Sequence, residues 1–150
     1  MRYMGLDVGD RRIGVALSDA LGLVASPLLV IKRKDPAADV AAILDLVKQH
    51  QVQVIIVGIP FSMDGTVGPQ ASKVQNFAEL LKKSSPVPVE YRDERLTTIT
   101  ARQLMEEASG KKYARKAKIQ DDAAAAAVIL QSYLNELKPL EYPPEDGEQL

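Results

Sequence analysis

Residues 2–18 read RYMGLDVGDRRIGVALS. Two apolar runs flank the polar tetrapeptide Gly9-Asp10-Arg11-Arg12. In the second run Ile13, Val15 and Leu17 alternate with Gly14, Ala16 and Ser18, the period of two that belongs to a strand. The first run, Arg2 to Val8, is apolar and stops at the turn after Asp7-Val8-Gly9. Two such runs separated by a short polar loop predict a β-hairpin. Leu28 to Ile31, following a turn at Ser26-Pro27, predicts a third strand. Three short strands in succession predict an antiparallel meander.

Downstream the period changes. Asp35-Pro36 has the form of a helix start, a cap followed by proline at the first helical position, and Val40, Ile43, Leu44 and Val47 follow at helical spacing. Val54-Ile55-Ile56-Val57 is a continuous β-branched run, expected of a strand buried on both faces. The polar loop 58–66 leads to a helix carrying Val74, Phe77, Ala78 and Leu81. Pro86 to Tyr91 predicts a fifth strand, ending at Asp93-Glu94-Arg95. Ala101, Leu104, Met105 and Ala108 predict a further helix stopped by Gly110, and a long helix runs from about Asp121 to Leu137. The order β-β-β-α-β-α-β-α-α predicts an α/β domain over residues 1–137, with a five-stranded mixed sheet and helices on both faces. Residues 138–150 carry Pro139, Pro143 and Pro144 with a net charge of −3, and are expected to form a disordered acidic tail.

The composition narrows the chemistry. The 150 residues include no cysteine and one histidine, His50. Disulfides, a thiol nucleophile, cysteine-ligated metals and multi-histidine metal sites are thereby excluded. No apolar run is long enough to span a bilayer, and the N-terminus lacks a signal-peptide core, so a cytoplasmic protein with no membrane partner is expected. The net charge is −1, yet without the acidic tail the remainder sums to +2, and phosphate binding is local.

In sheets of this kind, sites form where the carboxyl ends of neighbouring central strands open into a crevice. Strands one, four and five are predicted to meet there, bringing Asp7, Gly58-Ile59-Pro60 and Asp93-Glu94 together. Asp7 interrupts an apolar strand, where a charge needs a partner or a metal. Glu94 ends the fifth strand. The inward face of the last helix is Ala126, Ile129, Leu130, Tyr133 and Leu137; a step of four residues back from Ala126 reaches Asp122. Asp121, rotated by about 100°, reads instead as the helix cap. Carboxylates from two strands and a helix, with no histidine or cysteine near, suit Mg²⁺ or Mn²⁺, and such ions can hold a phosphodiester and activate water. Asp7, Glu94 and Asp122 are the candidate catalytic and metal-binding residues.

Several stretches together resemble a known family. They are Gly5 to Asp19, Val57-Gly58-Ile59-Pro60, Met63-Asp64-Gly65-Thr66, Asp93 to Thr98, and Asp122 with Ile129 to Leu134. In this order, from residue 2 to about 135, they resemble the YqgF/RuvX proteins. The resemblance implies an RNase H-like fold related to the junction resolvase RuvC. It implies a nuclease that matures the 5′ end of the 16S rRNA precursor, with Holliday junction resolution as the rival activity. It matches the family's metal-binding acids to Asp7, Glu94 and Asp122. The sequence departs from the family at Asp10, usually threonine, and at Asp121, usually apolar.

Residues 110–120, GKKYARKAKIQ, hold five basic residues and no acid directly before Asp122. They are read as an arm that grips a nucleic-acid backbone through Lys111, Lys112, Arg115, Lys116 and Lys118, with Tyr113 stacking on a base. Arg11, Arg12 and Arg95 flank the acids and are read as phosphate contacts. Two other classes compete. A sugar kinase or actin-like ATPase would use Asp7-Val8-Gly9 as a phosphate loop, but needs two such domains. A non-catalytic RNA-binding assembly factor would not need three converging acids. Junction resolution calls for a symmetric dimer, and either a monomer or a homodimer is compatible with the sequence.

Overall fold

The computed structural model describes residues 1–96 and 118–137. The predicted helix over Ala101–Ala108, the arm residues Lys111, Lys112, Tyr113, Arg115 and Lys116, and the tail 138–150 lie outside the described residues. The elements are β1 (Tyr3–Val8), β2 (Arg12–Ser18), β3 (Ala25–Lys32), α1 (Pro36–Gln49), β4 (Val54–Ile59), α2 (Pro69–Ser84), β5 (Val89–Asp93), a 3-10 turn (Glu94–Leu96) and α3 (Lys118–Leu137). The sheet runs β3-β2-β1-β4-β5. The first three strands pair antiparallel as the predicted meander, and β1–β4 and β4–β5 pair parallel.

The pleat divides the core in two. Leu6, Ile13, Val15, Ile55, Val57 and Ile59 meet Ile43 and Val47 of α1 and Phe77 and Leu81 of α2. On the other face, Ala16, Val54 and Ile56 meet Ala126, Ile129, Leu130 and Leu134 of α3. All six residues of β4 are buried, which accounts for the unbroken β-branched run. Asp35 caps α1 as predicted, its carboxylate accepting from the Ala38 N–H at 2.8 Å, with Pro36 at the first helical position.

Two boundaries differ from the sequence reading. β3 begins at Ala25, so Ser26 and Pro27 belong to the strand and not to a turn before it. Pro27 lies opposite Ala16, beside the register shift between Val15 and Ala16. β3 is the sheet edge, where a residue without an N–H breaks no essential ladder. The last helix begins at Lys118, not near Asp121. Nothing in Lys118-Ile119-Gln120 opposes helix, and lysine and glutamine favour it. Lys118 is therefore the first residue of α3 and not part of a loop, and Asp121 is not its N-cap. Among the described residues no helix is long and apolar enough to cross a membrane.

Candidate active site

Asp7 is the last-but-one residue of β1 and lies opposite Gly14 of β2. On this face of the sheet, toward α3, Gly14 offers no side chain. A Cβ built on Gly14 would stand 2.0 Å from the Asp122 carbonyl oxygen and 3.1 Å from the Ala123 nitrogen, so the α3 backbone rests directly on β2 at this point. Only glycine permits that approach. It brings the first inward turn of α3, and Asp122 with it, alongside Asp7. Glu94 follows the end of β5, with β4 between it and β1. A Cβ on Gly58 of β4 would lie 3.0 Å from both Cγ and Oε2 of Glu94. The Glu94 side chain therefore lies over β4 at Gly58, toward Asp7.

The electrostatics show that these acids share one environment. The Asp7 carboxyl is pushed up to about 6, first by burial and then by the Asp122 charge. Glu94 is pushed up to about 7, first by burial and then by the charges of Asp7 and Asp93. Asp122 accepts from Arg12 Nε at 2.8 Å. Two effects are thus separated within one crevice. Asp7 and Glu94 are destabilised as anions by desolvation and mutual repulsion, while Asp122 has a guanidinium partner. Among the described residues no three acidic or histidine side chains stand grouped as a ready-made metal cluster. The donor set nevertheless suits a hard cation: it is all carboxylate oxygen, and its half-buried members Asp7 and Glu94 gain most from added positive charge.

The predicted phosphate contacts divide. Arg12 faces the acids through Asp122. Arg95 turns to Asp93, with Nη2 at 2.6 Å from Oδ2 and Nε at 3.1 Å from both oxygens. Its Nη1 reaches the Met63 carbonyl at 3.4 Å, and its guanidinium lies 5.8 Å above the Phe61 ring. Arg95 thus ties the loop after β4 to the end of β5. Arg11 is exposed on the β1–β2 turn. Asp10 pairs with Lys73 at 3.6 Å, away from the three acids.

Sequence reasoning missed two ion pairs that hold the frame, each with one buried member. Asp39, 2% exposed, accepts from Arg33 Nε at 2.9 Å and from the Lys34 N–H at 3.0 Å. Its signal was legible, because Asp39, Ile43 and Val47 fall at four-residue steps on the inward face of α1. Arg92, 8% exposed, donates to Glu136 at 2.6 Å and Ser132 at 2.7 Å, fastening β5 to the far end of α3. Forty-four residues separate Arg92 from Glu136, and no local pattern announces that pair.

The family model for RuvX, described as Holliday junction resolvase, matches residues 1–136. The chain belongs to the RuvX family. Curated relatives carry the name "Putative pre-16S rRNA nuclease". One, from Halothermothrix orenii, is 49% identical over 135 residues, covering 90% of this chain and 95% of the relative. Another, from Crocosphaera subtropica, is 47% identical over 133 residues, covering 89% and 92%. Among solved structures, RuvC from Thermus thermophilus in complex with a Holliday junction substrate superposes with a TM-score of 0.59 at 16% identity, over 91% of this chain and 96% of that one. The fowlpox virus Holliday junction resolvase gives 0.57 at 19% identity, over 91% and 99%. The structural likenesses establish the fold, the RNase H-like sheet shared with RuvC-type resolvases; the family match carries the nuclease class.

Proposed function

We propose that this RuvX-family nuclease cuts precursor 16S rRNA toward its mature 5′ end, with Asp7, Glu94 and Asp122 holding a divalent cation, Mg²⁺ or Mn²⁺, and acting as the catalytic acids. The observation that carries the reading is the pair of acids raised to about 6 and about 7 at the carboxyl ends of β1 and β5. Repelling carboxylates held half-buried side by side are disfavoured as anions unless a counter-charge joins them. A bound cation would supply charge to the phosphodiester, a more acidic water and stabilisation of the leaving oxygen.

The chain's own groups do the rest. Asp7 is the most deeply set acid and fixes the floor of the site. Glu94 leans over the gap left by Gly58 and closes the β5 side. Arg12 balances Asp122 before substrate arrives and stands at the right edge of the crevice to receive a phosphate oxygen. Arg95, locked to Asp93, keeps the loop carrying Phe61 and Met63 at the rim. The arm residues Lys111, Lys112, Arg115 and Lys116, with Lys118, are assigned to the nucleic-acid backbone, and Tyr113 to stacking on a base. The pre-16S names of the relatives favour RNA, and the family description keeps four-way DNA as the second substrate.

The test is cleavage of a panel holding precursor 16S rRNA, an unrelated single-stranded RNA and a four-way DNA junction, each with and without Mn²⁺. Mn²⁺-dependent cutting of the precursor, lost in Asp7→Asn, is expected. Cutting confined to the junction would move the assignment to resolution, and metal-independent cutting would remove the role given to the three acids.

A further inference from the structure

Two cavities lie on the side of the sheet away from the three acids. One, of about 430 Å³, is lined by Val8, Gly9 and Asp10 at the end of β1, by Arg33, and by Gln70, Lys73, Asn76, Phe77 and Leu80 of α2. The next, about 410 Å³, shares Asp10, Arg33 and Pro36 with it and continues past Arg11, Lys32 and Lys34. The two form one continuous depression around the β1–β2 turn.

Its charge is uneven in a useful way. Arg11, Lys32, Arg33, Lys34 and Lys73 line it against Asp10, Asp35 and Asp39. Asp39 is buried on Arg33 and the Lys34 N–H, Asp35 caps α1 at the surface, and Asp10 pairs with Lys73 at 3.6 Å, which leaves the cations in excess. Arg11, Lys32 and Lys34 are exposed, and none pairs with a carboxylate among the described residues. Arg33 is held rigid by Asp39, by the Gly9 carbonyl at 2.9 Å and by the Phe77 ring 4.8 Å from its guanidinium. The amides of Gln70 and Asn76 line it together with the buried Val74 and Phe77 and the exposed Leu80. Cations spaced along a groove, with apolar side chains and amide groups, match a single strand: phosphates on the cations and a base in the pocket. Asp10 is three residues from Asp7, at most about 10 Å of chain, so a strand leaving the acids over the turn enters the depression within a few nucleotides.

We infer that this depression, from Lys73 past Arg33 to Lys32 and Lys34, is a second binding track for the single-stranded part of the substrate that continues beyond the cut. This rests on the nuclease reading only for the position of the cut; binding itself does not require it. The track gives the enzyme grip on single strand on the face of its sheet opposite the three acids.

The test is fluorescence anisotropy with a labelled single-stranded RNA, and a DNA of the same sequence, in EDTA over a salt series. Lys32→Ala/Lys34→Ala and Lys73→Ala/Asn76→Ala are compared with wild type. Each lysine lost from a phosphate lowers the salt slope by about 0.7, so the first double variant should lose about 1.4 in slope and several-fold in affinity. In cleavage its KM should rise with kcat unchanged, and its Mn²⁺ binding and melting temperature should match wild type. Equal loss on RNA and DNA indicates backbone recognition; a larger loss on RNA indicates that the ribose is also read, and both support the track. Affinity and slope equal to wild type in both variants overturn it, even if wild type cuts its substrate. Wild type that binds single strands in a Lys32- and Lys34-dependent manner but cuts nothing overturns the nuclease reading and leaves the track standing.

Discussion

Arg12 and Asp122 meet at 2.8 Å, and this pair decides how the site behaves before it is loaded. The Arg12 charge occupies Asp122, whose side chain is about one-third exposed. A divalent cation entering the crevice competes with that guanidinium for Asp122. Arg12→Gln should therefore tighten Mn²⁺ binding several-fold in the free protein, measured by calorimetry, while weakening nucleic-acid binding. Looser Mn²⁺ binding in Arg12→Gln would show that Arg12 orients Asp122 for the metal instead of competing with it. The neighbouring acids separate in the same assay. Asp122→Asn should abolish Mn²⁺-dependent cleavage with the fold intact by circular dichroism. Asp121→Asn should leave cleavage largely in place at a stability cost under about 0.5 kcal/mol, because it keeps the side chain's size inside α3 and asparagine and aspartate have similar helix propensity.

At the scale of elements, the site is made by where α3 lands on the sheet. Gly14 and Gly58 are both gaps under it, but of different kinds. At Gly14 the obstructing atoms are backbone, 2.0 to 3.1 Å from an added Cβ, and backbone cannot turn aside. Gly14→Ala should cost about 2–3 kcal/mol or more, in the upper range for overpacking, and should abolish activity by lifting Asp122 from Asp7. At Gly58 the obstructing atoms are the Ile129 Cδ1, at 2.6 Å, and the Glu94 side chain, at 3.0 Å, which can rotate. Gly58→Ala should lose less stability, yet activity should fall because Glu94 is displaced. Denaturant melts paired with cleavage rates check both, and equal stability losses would show that α3 shifts as freely as a side chain. The contrast also shows what could be read from the sequence. Alternation in residues 13–18 announced β2, and the apolar step from Ala126 back to Asp122 pointed the acid at the sheet. Neither said that Gly14 would carry the helix, since that depends on two segments over a hundred residues apart. The start of α3 was misplaced because a basic, apolar-poor segment looks the same in a loop and in a helix. The extent of β3 was misplaced because proline at an edge strand obeys a rule that appears only once the strand order is known.

For the whole molecule, the crevice couples stability to pH and to divalent cations. Asp7 ionises near 3.8 in an unfolded chain and near 6 in the fold; Glu94 moves from 4.5 to about 7. Folded pKa values above the unfolded ones mean that the native state binds the extra protons. The stability due to protonated Asp7 is therefore full below about 4 and is lost as pH rises to about 6, and that of Glu94 is lost between about 4.5 and 7. Without divalent cations the protein should be less stable at pH 7.5 than at pH 5, against the usual trend for proteins whose carboxylates are paired. Mn²⁺ reverses this, because it binds the ionised acids of the native state only. Millimolar Mn²⁺ should raise the melting temperature at pH 7.5 and hardly at all at pH 4.5, where Asp7 and Glu94 hold their protons. Asp7→Asn removes one half-buried charge and relieves its neighbour. In EDTA at pH 7.5 it should melt at least about 3 °C above wild type, since about 1 kcal/mol shifts a domain of this size by about 2–4 °C, and it should show a much smaller Mn²⁺ shift. Four melts, wild type and Asp7→Asn with and without Mn²⁺ at each pH, measure all of this without any substrate. A wild-type protein that is most stable at pH 7.5 in EDTA and indifferent to Mn²⁺ would mean that the three acids are neutralised within the fold, and would leave no charge in the crevice for a metal to balance.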